Sequence, residues 1–244
     1  MLPTFNEAEN ILEVLELVRT SVPDAHVLVV DDGSPDGTAD LAAGWGAERG
    51  GLDVLRRASK SGLGSAYRAG FRWGLDSGFD VLIEMDSDLS HDPAVLPELI
   101  GAVEHGASLA IGSRYVPGGS IPDWSWHRKA LSRGGNRYAG AVLGLDVRDA
   151  TAGYRAYAAP ALAAIDLQAV RAEGYAFQIE MAYAVKCNGG VIVEVPIAFI
   201  DRVRGKSKMS GSIVFEALGL VTWWGLRDRV LHRRAVVAPV SRAG

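Results

Sequence analysis

The sequence has a single cysteine, Cys187. That excludes an intrachain disulfide and is compatible with a reducing, cytosolic setting. Cys187 follows an apolar stretch and reads as a core or near-core thiol. No uncharged apolar run reaches the ~18–20 residues that a membrane-spanning helix needs. The N-terminus lacks a basic segment followed by an apolar one, so no secretory signal is expected. There is no internal repeat, low-complexity tract or clear linker. Two common nucleotide fingerprints are also missing. In Lys60-Ser-Gly62-Leu-Gly64-Ser-Ala-Tyr67, a tyrosine takes the place of a third glycine, and the lysine precedes the glycines instead of following them. A net charge of −4 gives no general reason to expect nucleic-acid binding.

What is present is enough for a packed enzyme-sized core. Of 244 residues, 48% are hydrophobic and 22% charged, which fits one domain with a tail, or two closely joined lobes. The charge is unevenly spread. Arg202 to Arg234 holds eight Lys/Arg and two acids, a net of +6, leaving −10 for the rest. The C-terminal region therefore has a different electrostatic task from the body.

Apolar β-branched runs alternate with helical patterns. Strands are expected at 26–30, 52–55, 80–85 and 108–112, and helices at 38–48, 64–75 and 94–103. Beyond these, a helix over 128–143, a strand at 153–158, a helix over 177–187 and a strand at 190–199 are expected. This order predicts an α/β fold, a mainly parallel sheet flanked by helices. Ligands of such sheets bind beyond the carboxyl ends of the strands. Asp31-Asp32, Asp86/Asp88 and Arg114 all fall at such ends. The polar loop Pro3-Thr-Phe-Asn-Glu7 follows only Met1 and Leu2, so the first strand is expected to be truncated.

Asp86-x-Asp88 follows an apolar strand directly. Residues i and i+2 of an extended chain point the same way, so two carboxylates converge and call for a cation between them. Mg²⁺ or Mn²⁺, shared with substrate phosphates, suits that donor set. The alternative is a solvated turn. Asp31–Thr38 reads as a turn and helix start that Thr38 or Ser34 caps, with a carboxylate placed to accept hydrogen bonds from a base or ribose. Glycines 62 and 64 ahead of a helix let the backbone approach a phosphate. Arg114, Arg128 and Arg133 are candidate phosphate ligands. Glu180, an acid in an apolar helical pattern, needs a partner if buried, with Arg202 or Arg155 as candidates.

Together these motifs are more specific than any one of them. Pro3-Thr-Phe-Asn-Glu-Ala-Glu-Asn10, Val29-Val-Asp-Asp-Gly-Ser-Pro-Asp-Gly-Thr38, Lys60-x-Gly-Leu-Gly-x-Ala-Tyr67, Met85-Asp-Ser-Asp-Leu-Ser-His91, Gly112-Ser-Arg-Tyr115 and Asp149-x-Thr-x-Gly-Tyr-Arg155 resemble the family 2 glycosyltransferases. Within these they are similar to the polyprenyl-phosphate (dolichyl-phosphate) mannose synthases, over about residues 3–210.

The resemblance implies a GT-A fold, a Rossmann-like nucleotide-sugar transferase, with GDP-mannose as donor and a polyprenyl monophosphate as acceptor. By matching positions, Pro3, Phe5, Glu7 and Asp32 would hold the guanosine, with Lys60 and Gly62 on the same nucleotide-sugar side. Asp86 and Asp88 would hold Mg²⁺ or Mn²⁺ and the sugar phosphate. Asp88, Arg114 and Arg128 would be the catalytic set, with Arg114 also among the nucleotide-sugar ligands. Arg128, Arg133, Arg202, Ser207 and Lys208 would address the acceptor phosphate. Two positions depart from the family pattern: Ser90 stands where a metal-contacting Gln is usual, so that its hydroxyl or a water would complete the metal site with Asp86 and Asp88, and Phe5 stands where a Tyr is frequent.

A phosphate acceptor is already anionic near neutrality, with a second pKa of about 6, so one inverting displacement needs little general-base help. Residues 1–211 would form the transferase domain, 212–234 an amphipathic helix in the membrane interface, and 235–244 a disordered tail. Ile213–Leu226 is too short to span. It carries Trp223 and Trp224 and is flanked by Arg204, Lys206 and Lys208 before it, and by Arg227, Arg229, Arg233 and Arg234 after it. The expected location is the cytoplasmic face of the cell membrane, held peripherally by this helix or by a separate anchoring partner. The rivals are a UDP-glucose or UDP-GlcNAc transferase, a sugar-phosphate nucleotidyltransferase, and an inactive nucleotide-binding homologue.

Overall fold

The structure, a computed structural model, describes residues 1–201 and 211–231. Among the described residues seven strands carry the fold: β1 (Leu2–Thr4), β2 (Val27–Asp31), β3 (Leu52–Arg56), β4 (Val81–Glu84), β5 (Leu109–Ser113), β6 (Arg155–Ala158) and β7 (Ile192–Pro196). Eight α-helices accompany them: α1 (Ile11–Ser21), α2 (Thr38–Arg49), α3 (Leu63–Asp76), α4 (Leu96–Glu104), α5 (Trp126–Leu143), α6 (Ala159–Ala163), α7 (Gly174–Cys187) and α8 (Gly211–Leu231).

Strands pair in the orders β1-β2-β3 and β4-β6-β5-β7. The two groups are stitched together at Met1, whose amine donates to Ile83 O (2.7 Å) and whose carbonyl accepts from Met85 N (3.2 Å). Strand β1, three residues long, lies at this seam of the sheet. Pairings β1-β2, β2-β3 and β5-β7 are parallel. Strand β6 runs antiparallel to both β4 and β5. Its reversed direction brings the segment preceding it, Asp149–Tyr154, to the edge where β2, β4 and β5 end.

Local sequence accounts for most elements. All five residues of β2 are buried, as in a strand covered on both faces. Strand β5 splits its side chains by the pleat. Leu109 and Ile111 join a core with Phe71, Tyr157 and Phe177, while Ala110 joins another with Ile11, Val29, Leu99 and Tyr154. Helices α1 and α6 are additional to the elements expected from the sequence. The α1 signal is present, since Ile11, Val14, Leu15 and Val18 are all buried at i, i+3, i+4, i+7 spacing. The five-residue α6 is too short for such a pattern. Helix α8 packs on α5 and α7: Ala217, Val221 and Trp224 enter the core, and Tyr138 and Thr222 hydroxyls meet at 2.6 Å.

Candidate active site

The chain leaves β4 into a tight polar turn. Leu89 takes a left-handed conformation (φ +64°), uncommon for a branched side chain, which folds Asp88, Ser90 and His91 back under the strand end. Both the N–H and the hydroxyl of Ser90 donate to Asp88 Oδ1, at 3.1 and 2.6 Å. Ser90 therefore stands behind Asp88 and holds it. Tyr67 donates its hydroxyl to Asp86 Oδ1 (3.3 Å), and the Asp86 N–H donates to His91 Nδ1 (3.2 Å). His91 is buried and stacked on Tyr154, with ring centroids 4.9 Å apart. Burial lowers its pKa to about 4 against the raising pull of Asp88. Its Nδ1 is occupied in accepting the Asp86 N–H.

Beneath the turn, Glu84 and Arg155 are fully buried partners, Oε1 to Nε 3.6 Å. Desolvation pushes Glu84 up to about 8 against the lowering effect of Arg155. Arg155 also donates to the carbonyls of Ala150, Ala152 and Gln178, each at 2.7 Å. It is spent on this network and is not the partner of Glu180. Glu180 instead accepts from the Ala172 N–H (3.1 Å), and burial raises its pKa.

The Asp86/Asp88 donors are all oxygen, which suits Mg²⁺ or Mn²⁺ and disfavours softer metals. Among the described residues no group of three or more His, Cys, Asp or Glu is gathered as a metal site.

At the end of β2, Asp31 is used internally. It accepts from Thr4 Oγ1 (2.9 Å), Ser34 Oγ (2.6 Å) and Ser34 N (2.9 Å). Asp32 faces Arg57 at 2.8 Å and the Ser61 N–H at 3.4 Å. Lys60 lies over the Phe5 ring, 4.5 Å from its centroid. Pro3 O accepts from Ser87 Oγ (2.9 Å), tying this loop to the aspartate turn. Glu7 accepts from Asn10 (2.9 Å), and its N–H donates to Thr38 Oγ1 (3.0 Å). The expected caps on α2 are corrected. Gly37 is the cap residue, and Asp36 Oδ1 accepts the Thr38 N–H and hydroxyl.

The phosphate role expected of the start of α3 also meets a different arrangement. Gly62 has φ +96°, and a side chain there would collide with Glu173. Glu173 Oε2 accepts from Gly64 N (2.7 Å) and Ser65 N (3.4 Å), while Oε1 pairs with Arg68 (3.0 Å). The anion at this helix start is a side chain of the protein itself.

Arginines dominate the other side. Arg114, at the end of β5, is nearly buried. It donates from Nε and Nη2 to the two oxygens of Asp149 (2.7 and 2.6 Å) and from Nη2 to Thr151 Oγ1 (2.9 Å). Burial works against its charge, but Asp149 outweighs that and raises its pKa. Arg128, on α5, lies flat on Trp124 with Cζ 3.8 Å from the ring, and reaches Asp201 at 3.2 Å. Arg114 and Arg128 share a cavity of about 80 Å³ with Thr151 and Tyr175. Trp124 and Ser132 also line it, and the rest of its walls are apolar and come from α5, α7 and α8, among them Leu131, Ala139, Ile179, Ala217 and Val221. Arg133 is exposed over Tyr115 (5.2 Å) and does not line this cavity. Arg202, Ser207 and Lys208, with the basic residues beside them and the 235–244 tail, lie outside the described residues.

Trp124, Asp149, Glu173 and Asp201 were not singled out from the sequence. Asp149 alone had a signal, since it opens the Asp149–Arg155 motif. The other three are ordinary residues in loops.

Comparison with known proteins places this geometry. The family model described as Glycosyl transferase family 2 matches residues 1–165. The chain is a family 2 glycosyltransferase. Among relatives of this glycosyltransferase is the polyprenol monophosphomannose synthase of Mycolicibacterium smegmatis. It is 50% identical over 238 residues, covering 97% of this chain and 90% of that one. The undecaprenyl-phosphate mannosyltransferase of Micrococcus luteus is 52% identical over 229 residues, 94% of each. In three dimensions the family 2 enzyme is similar to glucosyl-3-phosphoglycerate synthase of M. tuberculosis. The TM-score is 0.63 at 20% identity, over 93% of this chain and 78% of that one. A further structure of that synthase contains Mn²⁺, UDP and glucosyl-3-phosphoglycerate, with a TM-score of 0.60 at 20% identity, over 93% and 77% of the two chains. The GT-A fold expected from the motifs is the fold of this glycosyltransferase.

Proposed function

We propose that this enzyme transfers mannose from GDP-mannose to a polyprenyl monophosphate, with inversion at the anomeric carbon, and that Asp86 and Asp88 hold Mg²⁺ or Mn²⁺. One observation supports the acceptor above all. The cavity joins the cationic pair Arg114 and Arg128 to apolar walls from α5, α7 and α8, a match for an anionic head on a hydrocarbon tail. The polyprenol-phosphate relatives support the same reading.

In this reading Phe5, Glu7 and Asp32 engage the nucleoside, with Lys60 close to Phe5. Ser90 orients Asp88, while Tyr67 and His91 fix Asp86. The divalent ion, when bound, neutralises charge on the leaving diphosphate. Arg114 and Arg128 draw the lipid phosphate into line and offset its repulsion from the donor phosphates. The acceptor oxygen attacks the anomeric carbon as the bond to the diphosphate oxygen breaks. That oxygen is already deprotonated near neutrality, so proximity and charge stabilisation carry the rate.

A lipid acceptor calls for a membrane surface. Among the described residues no helix is long and apolar enough to cross one. Trp126 (79%) and Leu131 (61%) on α5, and Trp223 (59%) and Leu226 (54%) on α8, expose large apolar surface. Leu131 also lines the cavity. These residues form an interfacial face that would seat the enzyme peripherally on the cytoplasmic leaflet, with or without an anchoring partner.

The deciding experiment incubates the protein with GDP-mannose, Mg²⁺ or Mn²⁺ and a polyprenyl monophosphate in detergent. Mannosyl-phospholipid and GDP are expected. Turnover with UDP-glucose or UDP-GlcNAc in place of GDP-mannose would replace the donor, and no lipid product with any donor would overturn the reading.

A further inference from the structure

We infer that Trp124 is a positioning residue for the acceptor phosphate, holding the Arg128 guanidinium at the cavity through its ring face and its indole N–H; this rests on the acceptor assignment above. Arg128 has a long, flexible side chain, so its usefulness depends on what fixes it. Its Cζ stands 3.8 Å from the Trp124 ring centroid, close enough for a strong cation–π contact. The Trp124 Nε1–H donates to Asp201 Oδ1 (2.9 Å). The same carboxylate accepts from Arg128 Nη1 at 3.3 and 3.2 Å. Ring, carboxylate and guanidinium thus close a triangle that sets both the plane and the direction of Arg128. Arg114 Cζ lies 5.4 Å from the same ring, so one indole serves both cavity arginines.

The platform is itself well held. Trp124 is buried and meets the edge of Phe199 (5.8 Å, 76°). Phe199 in turn meets His91 (5.6 Å, 68°), which fixes the Asp86 backbone. Trp124 itself lines the cavity, and a rigid aromatic support there limits the orientations available to Arg128 before the acceptor arrives, which lowers the cost of binding it.

The test compares Trp124→Phe, which keeps a ring face but loses the N–H, with Trp124→Leu, which loses both, in the full chain. Four quantities are read: the Kd of a short-chain polyprenyl monophosphate in micelles, the KM values for lipid and for GDP-mannose, Mn²⁺ affinity, and Tm. Trp124→Leu is expected to raise lipid Kd and KM about tenfold or more. Trp124→Phe should recover most of that loss, and GDP-mannose KM and Mn²⁺ affinity should be unchanged in both. Equal lipid affinity in Trp124→Leu and wild type would overturn the inference. So would equal losses in the two variants, or a GDP-mannose KM that rises as far as the lipid KM. Should Trp124→Leu not fold, Asp201→Ala, at a half-exposed site, takes its place. It removes the third side of the triangle, and an unchanged lipid KM overturns the role. Lipid affinity is measured directly. Wild-type protein that binds the lipid but transfers no mannose therefore defeats the proposed donor, while the variant comparison still decides Trp124.

Discussion

Arg114 and Asp149 meet through two parallel hydrogen bonds of 2.7 and 2.6 Å, and the Asp149 carboxylate also accepts the Arg114 backbone N–H at 3.0 Å. Asp149 is completely buried and Arg114 nearly so. Removing one partner strands the other charge. Asp149→Ala should cost about 3–5 kcal/mol, a fall in Tm of roughly 10 °C, and abolish transfer. The paired replacement Arg114→Met with Asp149→Leu should recover much of the Tm, because well-packed apolar pairs replace buried ion pairs at little loss, yet remain inactive. Recovery of transfer in the double variant would remove Arg114 from the mechanism.

The turn after β4 separates a ligand from its support. Asp88→Ala should abolish transfer and Mn²⁺ binding with Tm close to wild type. Ser90→Ala removes the 2.6 Å hydrogen bond to Asp88 and should weaken Mn²⁺ about tenfold, the scale of an outer contact to a metal ligand. Paramagnetic resonance titration of Mn²⁺ measures both. Near wild-type transfer by Asp88→Ala would defeat the metal assignment.

Glu180 makes stability depend on pH. Burial raises its pKa above the ordinary 4.5, with the Ala172 N–H acting in the opposite direction. A raised carboxylate pKa means the folded state binds more protons than the unfolded one. Its contribution is fully present below pH 4.5 and is lost as pH rises through the folded-state pKa. Tm measured from pH 5 upward should therefore fall less in Glu180→Gln than in wild type. An unchanged slope would contradict the shift.

Trp126 on α5 and Trp223 on α8 are exposed and belong to the proposed interfacial face. Replacing both with Ser should weaken binding to anionic lipid vesicles by about tenfold or more, since each indole buries a large area at an interface. Tm should stay put, as neither side chain is in the core. Vesicle flotation measures the first, and unchanged flotation would exclude this face as the docking surface. Trp224, by contrast, is buried, although its sequence context is the same.

Much of the site was legible in advance because strand ends are local features. The apolar run of 80–85 and the polar residues after it fix where Asp86 and Asp88 sit. The same logic placed Asp32 and Arg114, and the ordered motifs supplied the family. Where local logic gave several answers it chose poorly. Ser34 and Thr38 are both good capping residues, but Asp36 takes the α2 amide. Arg155 suits any buried acid, and it is packed on Glu84 across the β4–β6 pairing. Glycines before α3 suggested a phosphate, and Glu173 holds those amides.

The sequence by itself determined the alternation of strands and helices, the position of the paired aspartates after β4 and the membership of family 2. Each depends on neighbours a few residues apart, where periodicity and backbone geometry decide. Only the tertiary structure decided the partners. Arg114 finds Asp149 across 35 positions, Glu173 reaches Gly64 across 109, and the cavity needs α5, α7 and α8 packed together. Such pairings are chosen by packing and by the direction of β6 in the sheet. A chain read in order contains many acids and arginines of equal local standing, and nothing local ranks them.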